Sequence, residues 1–210
     1  MLLKGATICG IALIIAAVIT LMPRTSIEAE EAKAESARVA AIEKEEMKKR
    51  PAVGQKAPDF ELKTLDGQLV KLTELSAKGP VVLVQLRGWV GYHCPVCTQQ
   101  VGRLLAARDD IKATGASVVL LYPGPADELD THARDFLKGT TFPEHFHFVL
   151  DPGMKFVNDY GLLWPEPNET AYPATFVLDK EGIVRWADIS GSHAGRANVD
   201  TVLEALRGLQ

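Results

Sequence analysis

Residues 81–86 are apolar except for Gln85, a pattern that predicts a strand buried on both faces. Residues 116–121 and 146–150 predict two more strands of this kind. Between the strands the period lengthens. From Pro95 to Ile111 the residues Cys97, Val101, Leu104 and Leu105 recur at i, i+4, i+7 and i+8, which is one face of a single helix. A polar-faced helix is expected at 126–137 and a short one at 154–160. A closing helix is expected at 198–209, with Val199, Val202, Leu203 and Leu206 on one side. Ahead of the first buried strand, 57–62 and 65–70 read as short strands around the Asp66-Gly67 turn, and 73–76 as a helical turn. Near the end, 175–178 and 183–187 read as a hairpin around Asp179-Lys180-Glu181-Gly182. Strands alternating with helices, then a hairpin and a helix, predict an α/β domain with a central mixed sheet flanked by helices.

The N-terminal pattern is different. After Lys4, residues 5–22 carry no charge, a run just long enough to cross a bilayer core at about 1.5 Å per residue. Residues 1–22 are therefore expected to be an uncleaved transmembrane anchor. The rival is a cleaved signal peptide, but no small-x-small site follows the apolar run. A lipoprotein signal does not fit, because Cys9 precedes most of that run. Residues 23–52 form a second section, rich in Ala, Glu, Lys and Arg between 28 and 50. Glu45/Lys49 and Glu46/Arg50 stand at i,i+4, and Glu30/Lys33 and Glu35/Arg38 at i,i+3. Val39, Ile42 and Met47 do not sustain a heptad, so a solvated helical stalk is expected rather than a dimerising coiled coil. Residues 53–210 are the globular domain.

Composition adds bounds. The 210 residues, 47% of them hydrophobic, suit one ordinary domain plus an extra segment. A net charge of -4 with no basic cluster gives nucleic acid nothing to bind. Three cysteines are too few for a disulfide-built module and leave one pair and one spare.

The pair is Cys94-Pro95-Val96-Cys97. Pro95 suits the first helical position, where a missing N–H costs nothing, so Cys94 falls at the N-cap. A thiol there faces unpaired N–H groups and the positive end of the helix dipole, which favour its thiolate. Cys97 lies on the apolar face and turns toward the core. One reactive, accessible sulfur followed by a more buried one is the arrangement of a dithiol that cycles to a disulfide. A structural zinc site would need two more ligands. Cys9 lies in the apolar run, and His132, His145, His147 and His193 show no zinc-finger spacing. A purely structural bridge is disfavoured, because such close spacing makes bonds strained and reducible. No metal and no organic cofactor are expected.

Other residues invite roles. His93 adjoins Cys94, and a protonated imidazole there would lower the thiol pKa further. Arg87 would do the same or brace the loop, and bracing is favoured. Trp89 is read equally as groove lining or core packing. Residues 164–168, Trp-Pro-Glu-Pro-Asn, read as a rigid surface loop, and His193 as part of a glycine-rich turn.

Three stretches together carry a family resemblance. They are Val53-Gly54-Gln55-Lys56-Ala57-Pro58-Asp59-Phe60 with Asp66-Gly67, then Arg87-Gly88-Trp89 leading to Cys94-Pro95-Val96-Cys97, and residues 172–182 from Tyr172 and Pro173 to Gly182. Over 53–210 the chain resembles the thioredoxin-fold superfamily, in the branch of peroxiredoxins and alkyl-hydroperoxide-reductase/thiol-specific-antioxidant proteins. The resemblance implies a thioredoxin-like fold. It also implies a cis Tyr172–Pro173 bond, with Pro173 lying against the dithiol and helping to hold a partner's backbone. Two departures separate the chain from peroxidases of that branch. Where those proteins place Pro and Thr ahead of the reactive cysteine, this chain has Arg87 and Gly91, and Pro173 replaces their active-site Arg. The hydrogen bonds that would polarise a peroxide are then not assured.

The reading that follows is a membrane-anchored thiol–disulfide oxidoreductase with Cys94 as nucleophile and Cys97 as resolving thiol. Its substrate would be a disulfide-containing protein or a small thiol or peroxide, and it would need an external electron donor. A peroxiredoxin-like antioxidant forming a Cys94 sulfenic acid is the second reading, and a non-catalytic thioredoxin-like binding module the third. Lys4 before the apolar run and Arg24, Lys33 and Arg38 after it do not orient the anchor, but the dithiol points to an extracytoplasmic, periplasmic-side domain.

Overall fold

A computed structural model describes residues 24–210. The expected anchor at 1–22 lies outside the described residues, and among those described no helix is long and apolar enough to cross a membrane. The stalk is helical, as α1 (Arg24–Lys49). Its residues up to Ala41 belong to one unit, and Ile42–Gln210 form a second, compact unit that takes in the end of α1 ahead of residue 53. The reason is the last turn of α1. Arg50 Nε donates to Gly161 O at 2.9 Å, and its guanidinium lies over the Tyr172 ring at 5.0 Å. Gly161 has φ +61°, and a Cβ there would stand 2.0 Å from Glu46 O, so the approach requires glycine. With Arg50 drawn away, the ion pairs shift from the expected i,i+4 spacing to i,i+3. Lys48 meets Glu45 and Lys49 meets Glu46, each at 2.6 Å.

The remaining elements are β1 (Glu61–Thr64), β2 (Leu69–Lys71), α2 (Leu72–Ser76), β3 (Val81–Gln85), α3 (Pro95–Ala106) and α4 (Arg108–Ala113). They continue with β4 (Ser117–Gly124), α5 (Leu129–Leu137), β5 (Phe146–Pro152), α6 (Lys155–Asp159), β6 (Ala174–Leu178), β7 (Val184–Ile189) and α7 (Val199–Arg207). The single helix expected over 95–111 is two, because the chain leaves helical geometry at Ala107 (φ −94°, ψ 12°).

One seven-stranded sheet runs in the order β2-β1-β5-β4-β3-β6-β7. β3, β4 and β5 are parallel, while β6 and β7 on one side and β1 and β2 on the other are antiparallel. The strict two-residue alternation of strand side chains divides the core in two. Val82, Val84, Val118, Leu120 and Tyr122 face a layer built from α3, α4, α5 and α7. Val81, Leu83, Val119 and Leu121 face the other side, with Phe60, Phe156, Tyr160 and Phe176. β3 is an interior strand, paired on both edges and buried along its whole length, so its C-terminal end delivers the Arg87–Cys97 loop to a fixed place at the edge of the parallel strands.

Candidate active site

The loop after β3 is held from below. Leu86 N donates to Leu121 O and Trp89 N to Pro123 O, which ties the exit of β3 to β4. Gly88 stands at φ +69°, where a Cβ would meet Pro123 O at 1.9 Å, so only glycine permits this contact. Trp89 stacks on His132 of α5 with ring centroids 3.7 Å apart. The loop then reaches Cys94, which caps α3 in extended geometry with Pro95 at the first helical position.

Both cysteines are free thiols. Cys97 is 1% exposed and Cys94 only 5%, so the expected contrast between an accessible and a buried sulfur is one of degree. Their electrostatics differ strongly. Cys97 N donates to Cys94 Sγ at 3.4 Å, and Arg87 N donates to Cys97 Sγ at 3.4 Å. The Arg196 guanidinium spans the pair, with Nη2 at 3.6 Å from Cys94 Sγ and 3.2 Å from Cys97 Sγ. The Cys94 thiol is brought down to about 5. The foremost cause is the Cys97 thiol donating to it, aided by the Cys97 and Val96 N–H groups and the Arg196 charge, all against the upward push of burial. Cys97 is pushed far up, because its S–H donates to the Cys94 sulfur and burial disfavours its charge. One sulfur is set to be a thiolate at neutral pH and its neighbour a thiol.

Around the dithiol, long-range pairs hold the loops. The Arg87 side chain forms a bidentate ion pair with Glu169, Nε–Oε2 and Nη2–Oε1 both at 2.7 Å, with both side chains buried. Its remaining donors go to Asn168 O at 3.0 Å and to Tyr92 Oη. Thr170 Oγ1 donates to Arg87 O. Glu169 Oε1 also lies 3.2 Å from His193 Nε2, and Trp164 stacks between His193 and Tyr172 at 4.7 and 4.6 Å. The Trp164–Asn168 insert is a surface loop with Glu166, Pro167 and Asn168 exposed, and the Asn168 carbonyl and the Trp164 ring tie it to the Arg87 brace.

Of the residues singled out from sequence, the structure brings Cys94, Cys97 and the Arg87 main chain together. The His93 ring packs near Trp89 and Phe136, at 5.0 and 6.2 Å, and no hydrogen bond joins it to either sulfur. Pro173 lies just beyond the Gln85↔Ala174 pair of β3 and β6, near the strand end from which the dithiol loop departs. The Tyr172–Pro173 bond is trans, because the described residues contain no cis peptide, and this corrects the expectation of a cis-proline. The physical reason is in the pairing on both sides. Tyr172 N donates to Leu162 O and Ser190 N donates to Pro173 O, each at 2.8 Å, so the segment runs extended into β6 as an ordinary X–Pro bond permits.

Arg196 and Glu169 escape sequence reasoning. Arg196 follows the glycine-rich 190–195 turn, three residues past His193. Its one local signal is a lone charge placed before a helix N-cap at Asn198. Glu169 adjoins the Pro-rich insert, and nothing local links it to an arginine 82 residues earlier. Among the described residues no cluster of His, Cys, Asp and Glu could hold a metal.

A mixed sheet with helices on both faces and a dithiol opening a helix beyond a central strand define the thioredoxin-like class of redox proteins. Within that class, residues 53–187 match the model of the AhpC/TSA family, and the chain belongs to that family as an oxidoreductase. It is 28% identical over 139 residues to the thiol-disulfide oxidoreductase ResA of Bacillus anthracis, covering 65% of this chain and 69% of that one. It is also 28% identical over 168 residues to Peroxiredoxin 2 of Thermoplasma acidophilum, covering 75% of this chain and 76% of that one. Among solved structures, the peroxidoxin BcpB of Mycobacterium tuberculosis superposes with a TM-score of 0.61 at 21% identity, over 77% of this chain and 99% of that one. At that identity the likeness speaks for the fold alone.

Proposed function

We propose that the protein is a thiol–disulfide oxidoreductase in which Cys94 is the nucleophile and Cys97 the resolving thiol. The observation that carries this reading is the Cys94 sulfur at the start of α3, accepting from Cys97 N at 3.4 Å and 3.6 Å from Arg196 Nη2 with the Cys97 thiol buried beside it, an arrangement that brings Cys94 to about 5 and pushes Cys97 up. In the first step the Cys94 thiolate bonds to one sulfur of a partner disulfide, and the other partner sulfur leaves as a thiolate. In the second step Cys97 gives up its proton and attacks Cys94 Sγ. The second partner sulfur is released and takes a proton. The partner gains two electrons and the protein holds a Cys94–Cys97 bridge, which an external thiol donor must reduce. Arg196 stabilises whichever sulfur is the thiolate at each stage, since its Nη2 reaches both. Pro173 is assigned the rim of the site. Its carbonyl is taken by Ser190, so it would shape a partner's approach through its ring rather than through backbone pairing.

A second reading, peroxide reduction through a Cys94 sulfenic acid that condenses with Cys97, is favoured by one observation. Arg196 supplies a guanidinium beside Cys94 Sγ, a charge of the kind lost where Pro173 replaces the family's active-site Arg. A non-catalytic module is disfavoured, because a scaffold needs no thiolate at neutral pH.

Location belongs to the same proposal. Residues 1–22 would anchor the chain in a membrane, with the unit from Ile42 onward on the extracytoplasmic side. The uncharged run at 5–22 and the charged helix α1 that follows support this. Protease treatment of sealed vesicles checks it.

The functional test is Cys97→Ser. It should accumulate a mixed disulfide with a disulfide substrate, visible by mass on non-reducing gels, while Cys94→Ser forms none. Stopped-flow rates of the reduced protein with a protein disulfide and with hydrogen peroxide then rank the two readings. If Cys94→Ser traps partners and Cys97→Ser does not, the assigned order is reversed.

A further inference from the structure

A groove of about 280 Å³ runs along α3 beside the dithiol, and its lining includes Val96, Gln99, Gln100, Arg103, Arg196 and Val199. Val96, Gln99/Gln100 and Arg103 stand at i, i+3/i+4 and i+7, so the groove follows one helix face for about 10 Å. At one end it has Val96 of the Cys-Pro-Val-Cys turn and Arg196, whose guanidinium touches both sulfurs. At the other end it has Arg103, which is exposed and in no ion pair among the described residues. In the middle is Gln100, 5% exposed, with Oε1 buried and lacking a hydrogen-bond partner. A buried amide oxygen without a donor is costly, and a donor brought by a ligand would relieve it.

These three features specify one kind of occupant. It has a sulfur at the Cys94 end, an amide N–H in the middle and a negative charge at the Arg103 end. Side chains on a helix lean toward its N-terminus, so Arg103 reaches back along the groove, and one or two residues at about 3.3–3.6 Å each span the gap. We propose that the groove is a docking site for a short peptide thiol bearing a terminal carboxylate, the exchange partner that reduces the Cys94–Cys97 bridge. This rests on the thiol–disulfide reading of the dithiol. In the exchange, the peptide thiolate bonds to Cys94 Sγ and Cys97 leaves as a thiolate and takes a proton. A second peptide thiolate then attacks the peptide sulfur of the mixed disulfide. The peptide disulfide leaves, and Cys94 is released as a thiolate. Two peptide thiols lose two electrons in all and the protein bridge gains them.

Overall charge opposes this choice, because the chain carries a net -4 and repels an anion at long range. A preference for the carboxylate must therefore come from the groove itself.

The probes are N-acetyl-Ala-Cys-Gly as the free acid and as the C-terminal amide, which share one thiol and differ by one charge. Second-order rates of reduction of the oxidised full chain are measured at low ionic strength by acid quench, alkylation and mass spectrometry. The acid should react about five- to tenfold faster than the amide, and this ratio should fall to near one in Arg103→Gln. Gln100→Leu should slow both peptides severalfold, because it removes the acceptor for their common amide. Equal rates for acid and amide in the wild type overturn the proposal, as does a ratio that survives Arg103→Gln. If neither peptide nor 2-mercaptoethanol reduces the bridge, the thiol–disulfide reading fails, and binding alone decides the groove. Titration of N-acetyl-Ala-Ser-Gly into isotope-labelled protein should then shift the amide signals of Val96, Gln99, Gln100 and Arg103 with the acid and not with its amide. An absence of those shifts refutes the site.

Discussion

Replacing Arg196 by Gln keeps a polar side chain of similar reach and removes the charge that spans the two sulfurs at 3.2 and 3.6 Å. Full Coulomb attraction at such a distance would be about 4 kcal/mol in a medium of effective dielectric 20. Arg196 is only half-buried, so solvent screens much of that. The Cys97 thiol and the N–H groups of the helix start remain in place and contribute more to holding the thiolate than Arg196 does. The loss should therefore be on the order of 1.4 kcal/mol, which moves the midpoint of Cys94 ionisation up by about one pH unit from its value of about 5. The sign follows from linkage. A depressed thiol pKa stabilises the reduced fold fully above the ordinary thiol value of about 8.5, and that stabilisation is lost as the pH falls through about 5. At pH 7 Cys94 is ionised in both proteins, so the variant's dithiol is weakened by the whole difference while its disulfide is untouched. Its reduction potential should fall by about 30 mV. Two assays read this, the pH dependence of iodoacetamide alkylation or ultraviolet thiolate absorbance, and equilibration against dithiothreitol buffers. A wild-type Cys94 that titrates like an ordinary cysteine would refute the reasoning, and so would an Arg196→Gln protein with both midpoint and potential unmoved.

Further consequences concern the brace and the loop. Glu169→Gln leaves the Arg87 guanidinium buried without its carboxylate, which should cost about 3–5 kcal/mol and lower Tm by roughly 10 °C in calorimetry. A change of under about 2 °C would mean that Tyr92 and Asn168 suffice to hold Arg87. Gly88→Ala forces a Cβ into Pro123 O at positive φ, so urea unfolding should show more than about 2 kcal/mol of destabilisation, whereas Gly91→Ala, with open space around its Cβ, should lose less.

Much of this protein is local, and local features are legible from the chain. The run at Val81–Gln85, apolar but for Gln85, is an interior strand because only a strand covered on both faces tolerates such a run, and its period-two alternation already assigns Val82 and Val84 to one core and Val81 and Leu83 to the other. The spacing of Cys94, Pro95 and Cys97 determines an N-cap sulfur and an inward one, because helix geometry relates residues three apart without reference to the rest of the molecule. The break at Ala107 carries no Gly or Pro signal, and only packing of α4 against its neighbours decides it. The same holds for the trans Tyr172–Pro173 bond, which depends on pairing with Leu162 on one side and Ser190 on the other. The charge at the dithiol was the least readable feature. His93 adjoins Cys94 in sequence but turns its ring to Trp89, while Arg196, 102 residues away, reaches both sulfurs. Neighbours along the chain are set by covalent geometry and can be read from spacing. A guanidinium arriving from the loop after β7 depends on how seven strands are ordered, and that order is a property of the whole sheet.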